Sequence, residues 1–291
     1  MSQGSLTSSL ARLNGLFAVV KPAGITSANV VDRLKTVLLR DIRYREEHGE
    51  QFLYGESREN VVEAREKGGS PNCAMYETGR TNKKCYKLPK MGHGGTLDMH
   101  ATGVLVVGIG KGTKQLASYL QGGKTYVAHG CLGNATDTMD ASGEVTESQS
   151  LVSHISESDF KGALNNFVGN IMQAPPLYSA LKVQGERMSD LVKRGVKVAP
   201  KPERPVQVYS LRCLTFNPPD FTIEVNCGGG FYVRKLIHDL GKSLGSCAHM
   251  TALCRTKQGY FTLDKHALPE DRWTLQDILQ AVEEFQEDVG R

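Results

Sequence analysis

Between Phe221 and Leu244 the sequence changes its period once, and that change limits the folds open to the chain. Phe221, Ile223, Val225 and Cys227 alternate with Thr222, Glu224 and Asn226, the pattern of a strand with one buried face. Three glycines at 228–230 break the strand, and Leu236, Ile237, Leu240 and Leu244 then recur at helical spacing. A one-faced strand followed at once by a one-faced helix buries both stripes by laying helix on sheet.

The same grammar runs through the rest. "GLFAVVKPAG" reads as a strand ending at Pro22, whose missing N–H stops the ladder. Thr26 or Ser27 then caps a helix with Val30, Val31, Leu34, Val37 and Leu38 on one face. A helix is expected over 114–120 and a strand over 126–132, and Ser156 with Asp159 opens a capping-box helix reaching Phe167. A further strand lies between Val206 and Phe221. Thr274 caps a last helix striped by Leu275, Ile278, Leu279, Val282 and Phe285. Alternating strands and helices indicate an α/β or α+β body, not a bundle or sandwich. The pattern collapses after Arg40, and residues 41–90 read as a long polar surface insertion, largely disordered.

Charge and cysteines bound the function classes. A net charge of +4 permits a polyanionic partner without requiring one. Seven scattered cysteines, never spaced Cys-x-x-Cys, suit a reducing compartment and argue against a disulfide framework or zinc site. No apolar run reaches membrane-spanning length, so no membrane partner is expected. Residues 1–15 read as a flexible, serine-rich leader with Arg12 and no acidic residue. That is similar to a transit peptide, but nucleus or cytosol is favoured over a mitochondrial address.

The chemistry concentrates at 91–110, "MGHGGTLDMHATGVLVVGIG", where Asp98 sits on a loop of small residues ahead of an apolar run. Small residues would let a large substrate approach the backbone, and an aspartate there can reach it. Taken alone, Asp98 is a turn or cap residue as readily as a catalyst. Neither "GIGKGTK" (108–114) nor "GKT" (123–125, with Ser118 where glycine is needed) has the spacing that cradles phosphate. Asp137 and Asp140 lack a third ligand and read as a turn. No nucleotide cofactor and no metal are expected.

"GHGGTLDMHATGVLVVGIGKGTK" strongly resembles the catalytic segment of TruB-type pseudouridine synthases, and four more segments agree in family order. These are "GLFAVVKPAGITS", "KTYVAHGCLGNATDTMDASGEV", "MQAPPLYSALKVQGERMSDLVKRG" and "GGGFYVRKLIHDLGKSLGSCAHMTALCRTKQG". The resemblance implies an α+β catalytic fold over 16–291, with a mixed, largely antiparallel sheet flanked by helices. It implies isomerisation of a uridine in the T-loop of tRNA, usually at position 55, without cofactor. Messenger-RNA hairpins that mimic the T-loop are a second substrate class.

The resemblance also supplies roles. Asp98 is the essential carboxylate, and Arg234 is its partner, since a desolvated carboxylate stays ionised only beside a cation. Tyr126 stacks on the base near where the C5 proton leaves; Tyr232 hydrogen-bonds near the Asp98–Arg234 pair; Leu253 walls the pocket; Lys21 and Pro22 support the catalytic loop from behind. His93 fills the gap left by the flipped uridine. Lys182, Arg187, Lys193, Arg194, Lys197, Lys201 and Arg204 form a basic run, usually only a solvated face but here the natural phosphate track.

Three departures stand out. Met99 replaces the proline that usually follows the catalytic aspartate, the 41–90 insertion is longer than in compact bacterial relatives, and too few residues follow Arg255 for a C-terminal PUA domain. The chain is thus similar to the eukaryotic stand-alone branch, a monomer needing no guide RNA. A guide-RNA-dependent subunit and an RNA-folding chaperone remain as alternatives.

Overall fold

In the computed structural model, residues 12–48, 87–149 and 152–289 are described. The strands are β1 (Gly15–Lys21), β2 (Met91–His93), β3 (Thr102–Ile109), β4 (Lys124–Leu132), β5 (Asn134–Thr136), β6 (Val145–Ser148), β7 (Gly169–Gln173), β8 (Lys182–Val183), β9 (Glu186–Arg187), β10 (Arg204–Asn217), β11 (Asp220–Cys227), β12 (Ala248–Gln258), β13 (Phe261–Thr262) and β14 (Ala267–Leu268). The helices are α1 (Ser27–His48), α2 (Leu116–Gln121), α3 (Glu157–Asn165), α4 (Met188–Lys193), α5 (Val233–Ser243) and α6 (Leu275–Val289).

Ten strands form one sheet in the order β14-β1-β3-β12-β4-β11-β10-β7, with β2 on β3 and β13 on β12. Only β1–β14 and β3–β12 pair in parallel, so the sheet is mixed and largely antiparallel. It falls into two leaves. β1, β2, β3 and β14 make one, and β12, β13, β4, β11, β10 and β7 make the other. They join where Cys254 and Arg255 pair with Thr102 and Gly103. Gly103 is required there: its φ is +105°, and a Cβ would lie 2.2 Å from the Arg255 carbonyl oxygen.

Each leaf is buried by its own helices. Phe17, Val19, Leu105 and Val107 pack with Val30, Leu34 and Leu38 of α1 and with Ile278, Leu279 and Val282 of α6. Tyr126, Ala128, Ile223, Val225 and Leu253 pack with Leu236, Ile237 and Leu240 of α5 and with Phe160 and Leu164 of α3.

Local chemistry sets the element ends. Thr26, not Ser27, caps α1: its Oγ1 accepts from Asn29 N at 3.1 Å, and Asn29 Oδ1 accepts from Thr26 N at 3.2 Å. Ser156 and Asp159 make the expected capping box, although α3 ends at Asn165, short of Phe167. Thr274 caps α6, accepting from Asp277 N at 3.1 Å.

The start of the expected insertion needs correction. α1 runs on to His48, because Ile42 continues its apolar face into the core and Asp41 Oδ2 accepts from Leu275 N at 2.9 Å. Of the rest of the expected insertion, 49–86 lies outside the described residues, as do residues 1–11 of the leader, while 87–90 lead into β2, with Lys90 O accepting from Gly110 N at 2.8 Å. The eleven-residue β12 had no place in the sequence reading. Its register shifts near Met250–Ala252 and Arg255–Lys257 break the alternation that marks a strand.

Candidate active site

The loop 94–101 joins β2 to β3 and carries Asp98, and side chains from elsewhere hold its main chain. Ser27 Oγ, on the first residue of α1, accepts from Leu97 N at 2.9 Å and donates to Leu97 O at 3.3 Å. Lys21 Nζ, at the end of β1, donates to Ala101 O at 2.6 Å, Met99 O at 3.0 Å and Pro22 O at 2.8 Å. From β12, Arg255 Nη2 donates to Gly95 O at 3.2 Å and Gln258 Nε2 to Gly94 O at 2.7 Å. Gly24 N adds a bond to Met99 O at 2.9 Å, while the Met99 side chain is exposed.

Two of the loop's glycines serve this inward fit. A Cβ on Gly94 would lie 2.9 Å from Tyr119 Cβ, and Gly95 has φ +150° with Gln258 Nε2 3.2 Å from its missing Cβ.

Asp98 projects from this anchored loop, 39% exposed, onto a buried Arg234 in the first turn of α5. Arg234 Nε donates to Asp98 Oδ2 at 2.8 Å and Nη2 to Oδ1 at 3.2 Å, a two-pronged pair. The guanidinium also donates from Nη1 to Thr138 O at 2.9 Å and from Nη2 to Tyr178 O at 2.8 Å. Asp140 Oδ2 lies 3.7 Å from Arg234 Nε. Asp137 and Asp140 do make the expected turn, accepting from Glu144 N and Ser142 N at 3.0 Å each. Their position against Arg234 was not visible in the sequence.

Leu97 and Ala101, flanking Asp98, share one apolar cluster with Tyr126, Leu253 and Val233. Tyr126 is buried near the start of β4, opposite Arg255 across the β4–β12 pairing. Burial pushes its phenol above the ordinary range, and the Arg255 charge opposes that. Leu253, two residues earlier on β12, is buried beside it.

Tyr232 departs from expectation. Its N–H donates to Gln173 Oε1 at 2.8 Å and its carbonyl accepts from Gln173 Nε2 at 3.1 Å, while its ring lies 5.5 Å from the Arg204 guanidinium. Among the described residues, no hydrogen bond joins its hydroxyl to Asp98 or Arg234.

His93 ends β2, half-buried, with Nδ1 buried and unpartnered. Burial, then the positive charges of Arg255 and Arg187, hold its imidazole below the ordinary pKa.

The basic run divides. Arg194 pairs with Glu186, and Arg204 Nη2 donates to Gly230 O at 2.8 Å. Lys182, Arg187, Lys193, Lys197 and Lys201 make no ion pair among the described residues.

Several site residues escaped the sequence reading. Arg255 is fully buried on β12, with Nε donating to Val104 O at 2.8 Å. Lys124, held near pH 8 by burial and the Arg255 charge, donates to the carbonyls of Tyr119, Leu120 and Gly122 at 2.9, 2.9 and 2.7 Å. The available signal was a charge on an inward strand position, which a strand tolerates only when that charge is paired or hydrogen-bonded. Among the described residues no group of metal-ligating side chains converges.

Comparison with known proteins bears on this geometry. The model of the TruB family pseudouridylate synthase N-terminal domain matches residues 83–233, and that of the tRNA pseudouridylate synthase B C-terminal domain matches 234–290. Human pseudouridylate synthase TRUB1 is 49% identical over 283 residues, 97% of this chain and 72% of its own. The tRNA pseudouridine synthase B of Syntrophotalea carbinolica is 39% identical over 212 residues, 70% of this chain and 69% of its own. Among solved structures, a chain of a Cbf5-Nop10-Gar1 complex superposes with TM-score 0.58 at 25% identity, covering 98% of this chain but only 59% of that one.

Proposed function

This chain belongs to the TruB family of pseudouridylate synthases, isomerases that act on RNA, and on that premise we propose that its substrate is the T-loop uridine at tRNA position 55. Its relatives named tRNA pseudouridine synthase B support tRNA as the substrate class. Messenger-RNA hairpins that copy the T-arm would enter the same site, and no guide RNA or cofactor takes part.

The reaction moves the C1′ bond of ribose from N1 of uracil to C5. When the C–N bond breaks, its electron pair leaves with the base and positive charge develops at C1′. Asp98 faces that charge as nucleophile or electrostatic stabiliser. Arg234 fixes both carboxylate oxygens, and Lys21 with Ser27 fixes the loop behind them, so little is left to reorganise during the step. Tyr126 and Leu253 bound the base pocket, where Tyr126 stacks and lies next to the departing C5 proton. His93 stacks in the gap left by the flipped uridine, and its depressed pKa supports a neutral ring in that role. Lys182, Arg187, Lys193, Lys197 and Lys201 supply charge for stem phosphates.

The observation that carries this reading is the Asp98–Arg234 pair: a carboxylate gripped from one side and exposed on the other. The test is tritium release from a T-arm hairpin labelled at uridine C5, with no guide RNA. Wild type should release tritium, and Asp98→Asn should not. Silence from wild type that still binds the hairpin would sink the reading.

A further inference from the structure

Arg234 is held by more than Asp98. Its Nη1 donates to Thr138 O and its Nη2 to Tyr178 O, and these two carbonyls belong to separate stretches of chain. One is the turn 137–144, which follows β5; the other is 174–181, which follows β7. If either stretch drifts, the guanidinium shifts, and both oxygens of Asp98 shift with it. Whatever fixes the two stretches relative to each other therefore fixes the aim of the carboxylate.

Neither stretch is part of a helix or a named strand, and among the described residues no backbone hydrogen bond joins the two. Within the turn, Met139 has φ +62°, a left-handed conformation that a residue with a side chain keeps only where its surroundings enforce it. Two contacts reach the turn from outside. Met250 N, on β12, donates to Met139 O at 3.1 Å, and Tyr178 Oη donates to Asp137 Oδ2 at 3.0 Å. The second is the one hydrogen bond, among the described residues, that links the two stretches holding Arg234.

Its direction follows from the groups involved. Asp137 Oδ1 already accepts from Glu144 N at 3.0 Å, which leaves Oδ2 as the acceptor facing the phenol. Burial first, and then the bond to Asp137, raises the pKa of Tyr178, so the hydroxyl keeps its proton and donates. Tyr178 is itself anchored along the chain. Ser179 is buried and its carbonyl accepts from Ser189 N at 3.2 Å, while the buried Gln173 side chain holds the main chain of Tyr232 at the start of α5.

We propose that Tyr178 and Asp137 form a clasp that closes the socket of Arg234, holding the Thr138 and Tyr178 carbonyls at the spacing that aims Asp98. One residue then secures both walls: the main chain of Tyr178 grips the guanidinium, and its side chain grips the turn that grips it from the other side. Neither Tyr178 nor Asp137 touches a reacting atom; both are positioning residues acting through Arg234. Because the bond between them is open to water, it adds little to stability. Its effect falls on alignment, to which the rate is far more sensitive.

This inference rests on the proposed reaction, which the wild-type hairpin assay tests separately. Tyr178→Phe removes only the hydroxyl. It is compared with wild type, Arg234→Lys and the double variant in single-turnover reactions at saturating T-arm hairpin. Tyr178→Phe should lower the single-turnover rate about 10-fold, part of the roughly 100-fold that a misplacement of about 1 Å can cost. Hairpin affinity by filter binding and the melting temperature should stay close to wild type. The double variant separates a clasp from a general effect. Arg234→Lys has already lost the alignment, so adding Tyr178→Phe should cost less than it does alone. An unchanged rate in Tyr178→Phe overturns the clasp, as does a loss confined to affinity or one that tracks a loss of folded protein. A further loss in the double variant as large as the single variant's also overturns it, because the phenol would then act elsewhere than through Arg234. Failure of wild type itself on the hairpin would instead overturn the functional reading.

Discussion

Arg234 directs four hydrogen bonds in a fixed fork, two to Asp98 and two to the Thr138 and Tyr178 carbonyls. An ammonium cannot span that set, so Arg234→Lys should keep the charge and lose the alignment. We expect kcat/KM to fall about 100-fold, the scale of a small misplacement of a reacting group, with hairpin binding retained in a filter-binding assay. Lys21 gives a prediction in pH. Burial, only partly offset by Asp98 and reinforced by Arg255, lowers its pKa to about 8, against 10.5 as the reference value. Below about pH 8 the ammonium is charged in both folded and unfolded chains, and the cost of burying it is carried in full. From there towards 10.5 the folded chain loses the proton while the unfolded chain keeps it, so this group alone raises stability with pH. Activity should move the other way, because a neutral amine has two N–H donors for three carbonyls, two of them in the catalytic loop. The expected result is a kcat limb falling near pH 8, with no matching loss of thermal stability from this group. At this scale the sequence said little by itself. Asp98 and Arg234 are 136 positions apart, and only the family motifs linked them.

Among the elements, α1 was read best where its stripe was dense and worst where it thinned. Val30, Val31, Leu34 and Leu38 announce the helix, whereas past Arg40 a single Ile42 per turn is hidden among charges. That hidden stretch has work to do. Asp41 reaches the first N–H of α6 and so caps a helix more than 230 residues downstream. Asp41→Ala should lower unfolding stability by about 1 kcal/mol, the ordinary worth of a cap, measured by urea titration. Activity should change little, since the cap lies on the α1–α6 side of the sheet. β11 and α5 were legible because one strand face and one helix face carry all their apolar residues. β12 was not, because register shifts and the inward Arg255 and Gln258 hide its buried face.

For the whole molecule, sequence patterning indicated strands and helices in one body and the family resemblance supplied the mixed sheet, while the strand order needed the structure. Charge alone gave only a mild basic balance. The five basic residues without ion pairs among the described residues are the better guide to RNA affinity than the net +4. Replacing Lys193 and Lys197 with glutamine should raise KM and leave kcat near wild type. Each lost phosphate contact should also flatten the logarithmic salt dependence of binding by about one unit. The sheet has one more consequence. Its two leaves meet in parallel over Cys254–Thr102 and Arg255–Gly103, and the proposed site residues lie on both sides of that seam. Asp98 comes from one side; Tyr126, Leu253 and Arg234 come from the other. We expect gentle warming to loosen such a joint, and with it the alignment of the site, while each leaf keeps its own core. Heat inactivation should therefore precede melting, and the temperature at which pseudouridine formation stops should lie below the temperature at which the helices are lost.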